Sequence, residues 1–87
     1  MVKAKVQIKN PTGLHLGPAG LFCQTAVSFQ SKVSFAIRNT VGNAKSVLSV
    51  LGACVKYGDV IELICEGPDE GEALATMVKV IEDGLGE

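Results

Sequence analysis

The chain has 87 residues, of which 47% are hydrophobic and 20% charged, and its formal net charge is -1. This composition predicts one globular domain, residues 1–87, and the lack of a dense Lys/Arg cluster or a long apolar segment argues against direct nucleic-acid binding and membrane insertion. Three cysteines without a C-x-x-C pair, together with one histidine, predict no metal site and no cofactor, and fit reduced thiols in a cytoplasm.

The first part of the chain predicts a strand followed by a helix. Residues 2–8, VKAKVQI, alternate between apolar and polar side chains, which is the period of a strand with one buried face. A break of turn-forming residues follows. From about Gly17 the apolar spacing becomes helical, through Phe22, Ala26 and Phe29. We therefore expect a helix that continues to Phe29.

The middle of the chain predicts a hairpin and a short helix. Alternation returns in residues 33–37, and Arg38-Asn39 can turn the chain into a short partner strand at residues 40–43. Ser46 precedes a segment with apolar residues at Val47, Leu48, Val50 and Leu51, and serine is one of the preferred residues before the first turn of a helix. Ser46 is therefore predicted to cap that helix.

The last part predicts a turn, a strand and a helix. Residues 57–59, Tyr-Gly-Asp, form a turn that leads into a strand at residues 60–66. Asp69 and Glu72 have the spacing of a capping box ahead of a helix with one apolar face. Gly84 follows the last apolar position and is expected to end this helix.

The predicted element order is β-α-β-β-α-β-α. Because alternating strands have only one apolar face to bury, we expect an α+β fold in which three helices cover one face of a four-stranded antiparallel sheet. The other face should be in contact with solvent.

The segment TGLHLGPAG, residues 12–20, places the only histidine just before the first helix. A neutral imidazole nitrogen is a nucleophile that can carry a phosphoryl group. The first N–H groups of a helix lack internal partners and attract anions, so the backbone of Leu16 and Gly17 is predicted to support a phosphate on His15. The alternative is that His15 is an ordinary loop or cap residue without chemistry.

TGLHLGPAG closely resembles the active-site loop of HPr, the histidine-containing phosphocarrier of the bacterial sugar phosphotransferase system, whose usual form is Gly-(Leu/Ile)-His-x-Arg-Pro-Ala. NAKSVLSVLG, GPDEGEAL and EDGLGE resemble segments of HPr from low-GC Gram-positive bacteria. The resemblance runs from end to end without a required gap. It implies an open-faced β-sandwich with the element order predicted above.

The resemblance also implies partners and residue roles. His15 would accept a phosphoryl group from enzyme I and pass it to enzyme II A domains, so the chain itself would be no turnover enzyme. Ser46 would be phosphorylated by HPr kinase/phosphorylase, and the modified form would bind a catabolite control repressor. The positions that match the family's apolar docking surface are Gly20, Val47, Leu48 and Leu51. The alternative is that Val47, Leu48 and Leu51 are ordinary core residues of the helix. Ser46 would then only cap the helix.

The chain departs from the family at Gly17, where the usual residue is arginine, and at Leu16, where a small or polar residue is common. A guanidinium can hold a phosphate by charge-assisted hydrogen bonds, so its absence weakens the prediction of efficient transfer. Two functions follow: a phosphoryl carrier acting through His15, or a regulatory HPr-like protein acting through Ser46. Purely regulatory members of the family lack the histidine, which favours the carrier. An unrelated α+β ligand-binding module is the third possibility.

Overall fold

A computed structural model describes residues 1–87, and the elements follow the predicted order. They are β1 (Val2–Gln7), α1 (Leu16–Val27), β2 (Lys32–Ile37), β3 (Thr40–Asn43), α2 (Val47–Gly52), β4 (Val60–Glu66) and α3 (Glu70–Glu82). The four strands form one antiparallel sheet in the order β1-β4-β2-β3. The α+β architecture predicted from the alternating strands is therefore confirmed.

The alternation of side chains along the strands separates a core face from an outer face. In β4, Ile61 and Leu63 are buried, whereas Glu62 between them is only half-buried. The core face packs against the helices, where Phe22 of α1 meets Phe35 of β2 edge to face with ring centroids 5.8 Å apart. No helix of the chain is both long enough and apolar enough to cross a membrane.

The first helix is shorter than the sequence predicts. It ends at Val27, so the prediction that it continues to Phe29 is wrong. The Ser28 hydroxyl donates to the Thr25 carbonyl oxygen at 2.6 Å and helps to satisfy the last turn. Phe29 still packs against the core from the turn that follows. Because Phe29 is apolar and packs against the core, the helical spacing in the sequence extends two residues beyond the end of α1.

The capping box predicted for α3 is also wrong. Asp69 occupies the N-cap position, but its side chain makes no cap hydrogen bond. Its carboxylate instead accepts hydrogen bonds from two backbone N–H groups before β2 and from the Ser31 hydroxyl, the last at 2.5 Å. These hydrogen bonds lower the pKa of Asp69 below its ordinary value, and the bond from the Ser31 hydroxyl has the largest effect. The Asp69 N–H, which a capping box would give to Glu72, donates to the Ser31 hydroxyl oxygen at 3.2 Å. Glu70 accepts the Gly67 N–H at 3.1 Å.

Gly84 ends α3 as predicted. It adopts a φ of 89°, and its N–H donates to the Ile81 carbonyl oxygen at 3.0 Å. The N–H of Leu85 donates to the carbonyl oxygen of Val80 at 3.0 Å, which completes a Schellman motif. Leu85 is buried in the core, and the chain after it returns towards the loop between β1 and α1.

Candidate active site

His15 is the N-cap residue of α1. Its backbone is extended, with φ -91° and ψ -172°, and its carbonyl oxygen accepts the first helical hydrogen bond from Ala19 at 2.7 Å. The side chain is exposed and makes no hydrogen bond to the helix. The predicted location at the mouth of the helix is therefore confirmed, and the ring is accessible to a partner.

Three consecutive backbone donors lie at this position. The N–H groups of His15, Leu16 and Gly17 donate to no group within the protein, and the next residue, Pro18, has no N–H. Leu16 and Gly17 are exposed. Unpaired N–H groups at the positive end of a helix bind anions without a metal or a cofactor. The site can therefore hold a phosphate beside the imidazole.

The loop before His15 is fixed by contact with the segment after α2. Gly13 is buried with a φ of 66°, and a Cβ there would lie 2.5 Å from the Val55 carbonyl oxygen and 2.7 Å from the Lys56 Cα. The N–H of Leu14 donates to the Val55 carbonyl oxygen at 3.0 Å. Only glycine allows this approach, so the position of His15 depends on residue 13.

A shallow depression of about 300 Å³ lies beside His15. Its lining residues are Thr12, Leu14, His15, Leu51, Cys54, Val55 and Lys56. The depression thus lies between the loop that joins β1 to α1 (the histidine loop, residues 8–15) and the end of α2 with the segment after it. Sequence reasoning did not place Cys54 or Lys56 at the site, because both come from a part of the chain distant in sequence.

Glu87 holds the other end of the histidine loop. Its two carboxylate oxygens lie 2.8 and 3.0 Å from the Thr12 hydroxyl, which donates to them, and one also accepts the Thr12 N–H at 3.3 Å. The Thr12 hydroxyl is the main cause that holds the pKa of Glu87 below its ordinary value, and the nearby His15 contributes in the same direction. No sequence pattern pointed to this contact.

Ser46 caps α2 as predicted. It has an extended backbone, and its Oγ accepts the Ser49 N–H at 3.3 Å. The residue is half-buried rather than fully exposed. The adjacent Lys45 donates from Nζ to the carbonyl oxygen of Phe29 at 2.7 Å. The ammonium of Lys45 is therefore bound to the turn that follows α1.

The residues predicted to form a docking surface divide into two groups. Val47 and Leu48 are exposed, to 38% and 83% respectively, whereas Leu51 is half-buried and packs against the core. Leu51 also lines the depression beside His15. Gly20 is half-buried, and nothing lies within 4 Å of a Cβ built on it. The exposed apolar side chains of α2 are thus continuous with the histidine site through Leu51.

Comparison with known proteins agrees with this small α+β fold and its exposed helix-capping histidine. A family model described as "PTS HPr component phosphorylation site" matches residues 2–83. The crystal structure of HPr-C-His from Thermoanaerobacter tengcongensis superposes with a TM-score of 0.97 at 42% identity, over 100% of this chain and 98% of that one. The chain belongs to the HPr family.

Similar curated proteins carry two names. "Phosphocarrier protein HPr" of Treponema pallidum is 36% identical over 88 residues, which cover 100% of this chain and 99% of the relative. "HPr-like protein Crh" of Halalkalibacterium halodurans is 38% identical over 82 residues, 94% of this chain and 98% of the relative. Both names occur at similar identity, so overall sequence similarity does not distinguish a phosphoryl carrier from a regulatory protein. The residues of the site must distinguish them. The low-GC Gram-positive type stays a prediction.

Proposed function

We propose that this chain, as a single HPr-like domain of residues 1–87, is the phosphoryl carrier of a phosphoenolpyruvate-dependent sugar phosphotransferase system. It accepts the phosphoryl group from enzyme I on His15 and passes it to enzyme II A domains in the cytoplasm. The observation that carries the proposal is the exposed imidazole at the N-cap of α1, next to three unpaired backbone N–H groups. The chain acts as a substrate of its partner enzymes and needs no cofactor.

The proposed transfer is a displacement at phosphorus. A ring nitrogen of His15 uses its lone pair to form the N–P bond while the bond from phosphorus to the donor breaks and leaves its electron pair on the donor. The N–H groups of Leu16 and Gly17 then face the phosphoryl oxygens, where the helix dipole favours negative charge. Transfer to the acceptor reverses these roles at the same ring nitrogen.

Partner docking is assigned to the apolar surface of α2. An exposed, contiguous apolar patch on a small protein is a common mark of a protein interaction site. The most exposed residue of the proposed docking surface is Leu48, with 83% of its surface exposed, and Val47, Leu51 and Gly20 are the other residues assigned to it. One surface beside His15 then serves enzyme I and the enzyme II A domains in turn.

Ser46 is proposed as the regulatory site. HPr kinase/phosphorylase would add a phosphate at the N-cap of α2, and the modified protein would bind a catabolite control repressor. The added charge, close to two negative units, lies at the positive end of the helix, so α2 is preserved while the docking surface becomes anionic. Partner choice changes without refolding.

The second candidate function is regulation alone, through phosphorylated Ser46. Gly17 in place of the usual arginine and the similarity to HPr-like protein Crh favour it. The retained His15 favours the carrier.

A complementation experiment separates the two functions. The chain, its His15→Ala variant and its Ser46→Ala variant are expressed in a bacterium that lacks its own HPr, and growth on a phosphotransferase sugar is measured. A carrier supports growth in the original and Ser46→Ala forms but not in the His15→Ala form. Absence of growth with the original form, together with kinase-dependent repressor binding by purified protein, would favour the regulatory function.

A further inference from the structure

The loop around His15 carries no basic side chain. Gly17 occupies the position of the usual arginine, and residues 10–20 contain no lysine or arginine. A phosphoryl group brings close to two negative charges, and the backbone N–H groups of α1 offer only partial positive charge. A full cation near the phosphoryl group must come from another segment of the chain.

Lys56 meets that requirement. It is the only lysine or arginine among the residues that line the depression beside His15, and it is exposed. Its ammonium takes part in no salt bridge, since the cationic partners in the protein are the N-terminus, Arg38 and Lys79. The charge is therefore available to an anion that arrives at the depression.

The main chain of Lys56 is fixed relative to the histidine loop. Its N–H donates to the Asp59 carboxylate at 2.9 Å, and its carbonyl oxygen accepts the Asp59 N–H at 3.0 Å. Its Cα lies only 2.7 Å from where a Cβ of Gly13 would be, two residues before His15. The backbone segments on the two sides of the depression are thus in direct contact. The flexible side chain of Lys56 can change its conformation to reach a phosphoryl group on His15.

We propose that Lys56 supplies the cation that the loop lacks at residue 17, and that its ammonium contacts the phosphoryl group on His15. This inference rests on the proposed carrier function. A charge-assisted hydrogen bond from an ammonium stabilises a phosphate strongly, although a lysine lacks the bidentate geometry of arginine. Lys56 would act as a catalytic residue, because it touches the group that is transferred.

The experiment measures the equilibrium of phosphorylation rather than only its rate. The original chain and variants are incubated with enzyme I at a fixed ratio of phosphoenolpyruvate to pyruvate, and the phosphorylated fraction is determined by intact-protein mass spectrometry. Docking to enzyme I changes the rate at which equilibrium is reached but leaves the equilibrium unaltered. A shift in the equilibrium larger than that caused by removing a distant charge therefore reports an interaction with the phosphoryl group.

We expect Lys56→Gln to lower the equilibrium constant about tenfold, the effect of losing one charged hydrogen-bond partner, and Lys56→Arg to preserve it. Lys3→Gln is the matched control, because it removes the same charge from an exposed position in β1. Circular dichroism checks that each variant folds. An equilibrium constant for Lys56→Gln equal to that of Lys3→Gln would overturn the inference. If the original chain accepts no phosphate at all, the proposed function itself is overturned.

Discussion

Restoring an arginine at residue 17 tests how much the missing cation costs. Gly17 is the second residue of α1, it is exposed, its φ lies outside the left-handed region, and nothing lies within 4 Å of a Cβ built there. Gly17→Arg therefore introduces no clash and no backbone strain. Replacing a helical glycine by arginine gains roughly 0.7 kcal/mol, and a cation near the positive end of a helix costs about 0.3–1 kcal/mol. The free energy of unfolding should stay nearly constant.

The effect on the phosphorylated form should be much larger. One charge-assisted hydrogen bond contributes about 1.5–3 kcal/mol, and about 1.4 kcal/mol corresponds to a factor of ten in an equilibrium constant. Part of this contact energy is lost in ordering the side chain, so Gly17→Arg is expected to raise the equilibrium constant of His15 phosphorylation about tenfold. The increase should be greater when Lys56→Gln is also present, because the two cations then no longer share one phosphate.

The assay is the enzyme I equilibrium at a fixed ratio of phosphoenolpyruvate to pyruvate, with Gly71→Arg as the matched control. Gly71 is likewise the second residue of a helix, α3, it is exposed, and nothing lies within 4 Å of a Cβ built there. An equilibrium constant for Gly17→Arg equal to that of Gly71→Arg would contradict a contact between residue 17 and the phosphoryl group. It would mean that an arginine at this position does not reach the phosphoryl group.

Three predictions concern stability. Ser46→Ala removes the N-cap hydrogen bond of α2 and should cost about 1 kcal/mol, measured by urea unfolding, whereas an unchanged midpoint would contradict the cap. Gly42→Ala places a Cβ 2.5 Å from the Phe35 ring, so thermal unfolding should show a loss of about 1–3 kcal/mol, and a neutral result would contradict this contact. Because the pKa of Asp69 is lower in the folded chain, its stabilisation is present above the ordinary carboxyl pKa and is lost as pH falls through the folded value. When the pH is lowered from neutral to acid, the unfolding midpoint should therefore fall less for Asp69→Asn than for the unsubstituted chain. An identical fall in both proteins would contradict stabilisation by the ionised Asp69 carboxylate.

Local patterns were enough to predict much of the fold and two features of the site. The alternation of apolar and polar residues identified β1, and the turn residues at 57–59 marked the start of β4. Ser46 and His15 were placed at helix starts by the residues next to them in the chain, and the structure has both as N-cap residues. Such features depend on a few neighbouring residues, so one sequence is sufficient to find them.

Contacts between distant segments were not predictable in this way. Asp69 has the residue type and spacing of a helix cap, yet the Ser31 hydroxyl and nearby N–H groups compete for its carboxylate. Glu87 meets Thr12 across 75 positions of the chain. Lys56 reaches the depression beside His15 only because the segment after α2 packs against Gly13. Each contact is set by the tertiary fold, and no local period reports it.

The most direct test of the account is the location and chemistry of the phosphate that enzyme I adds. The chain and its His15→Ala variant are incubated with enzyme I and phosphoenolpyruvate, and the bound phosphate is measured before and after mild acid. Because His15 is exposed and outside the core, the variant should fold normally and circular dichroism should match. We predict one acid-labile phosphate on the original chain and none on His15→Ala. Undiminished acid-labile phosphate on the variant, or none on either protein, would contradict the assignment of His15 as the phosphoryl acceptor.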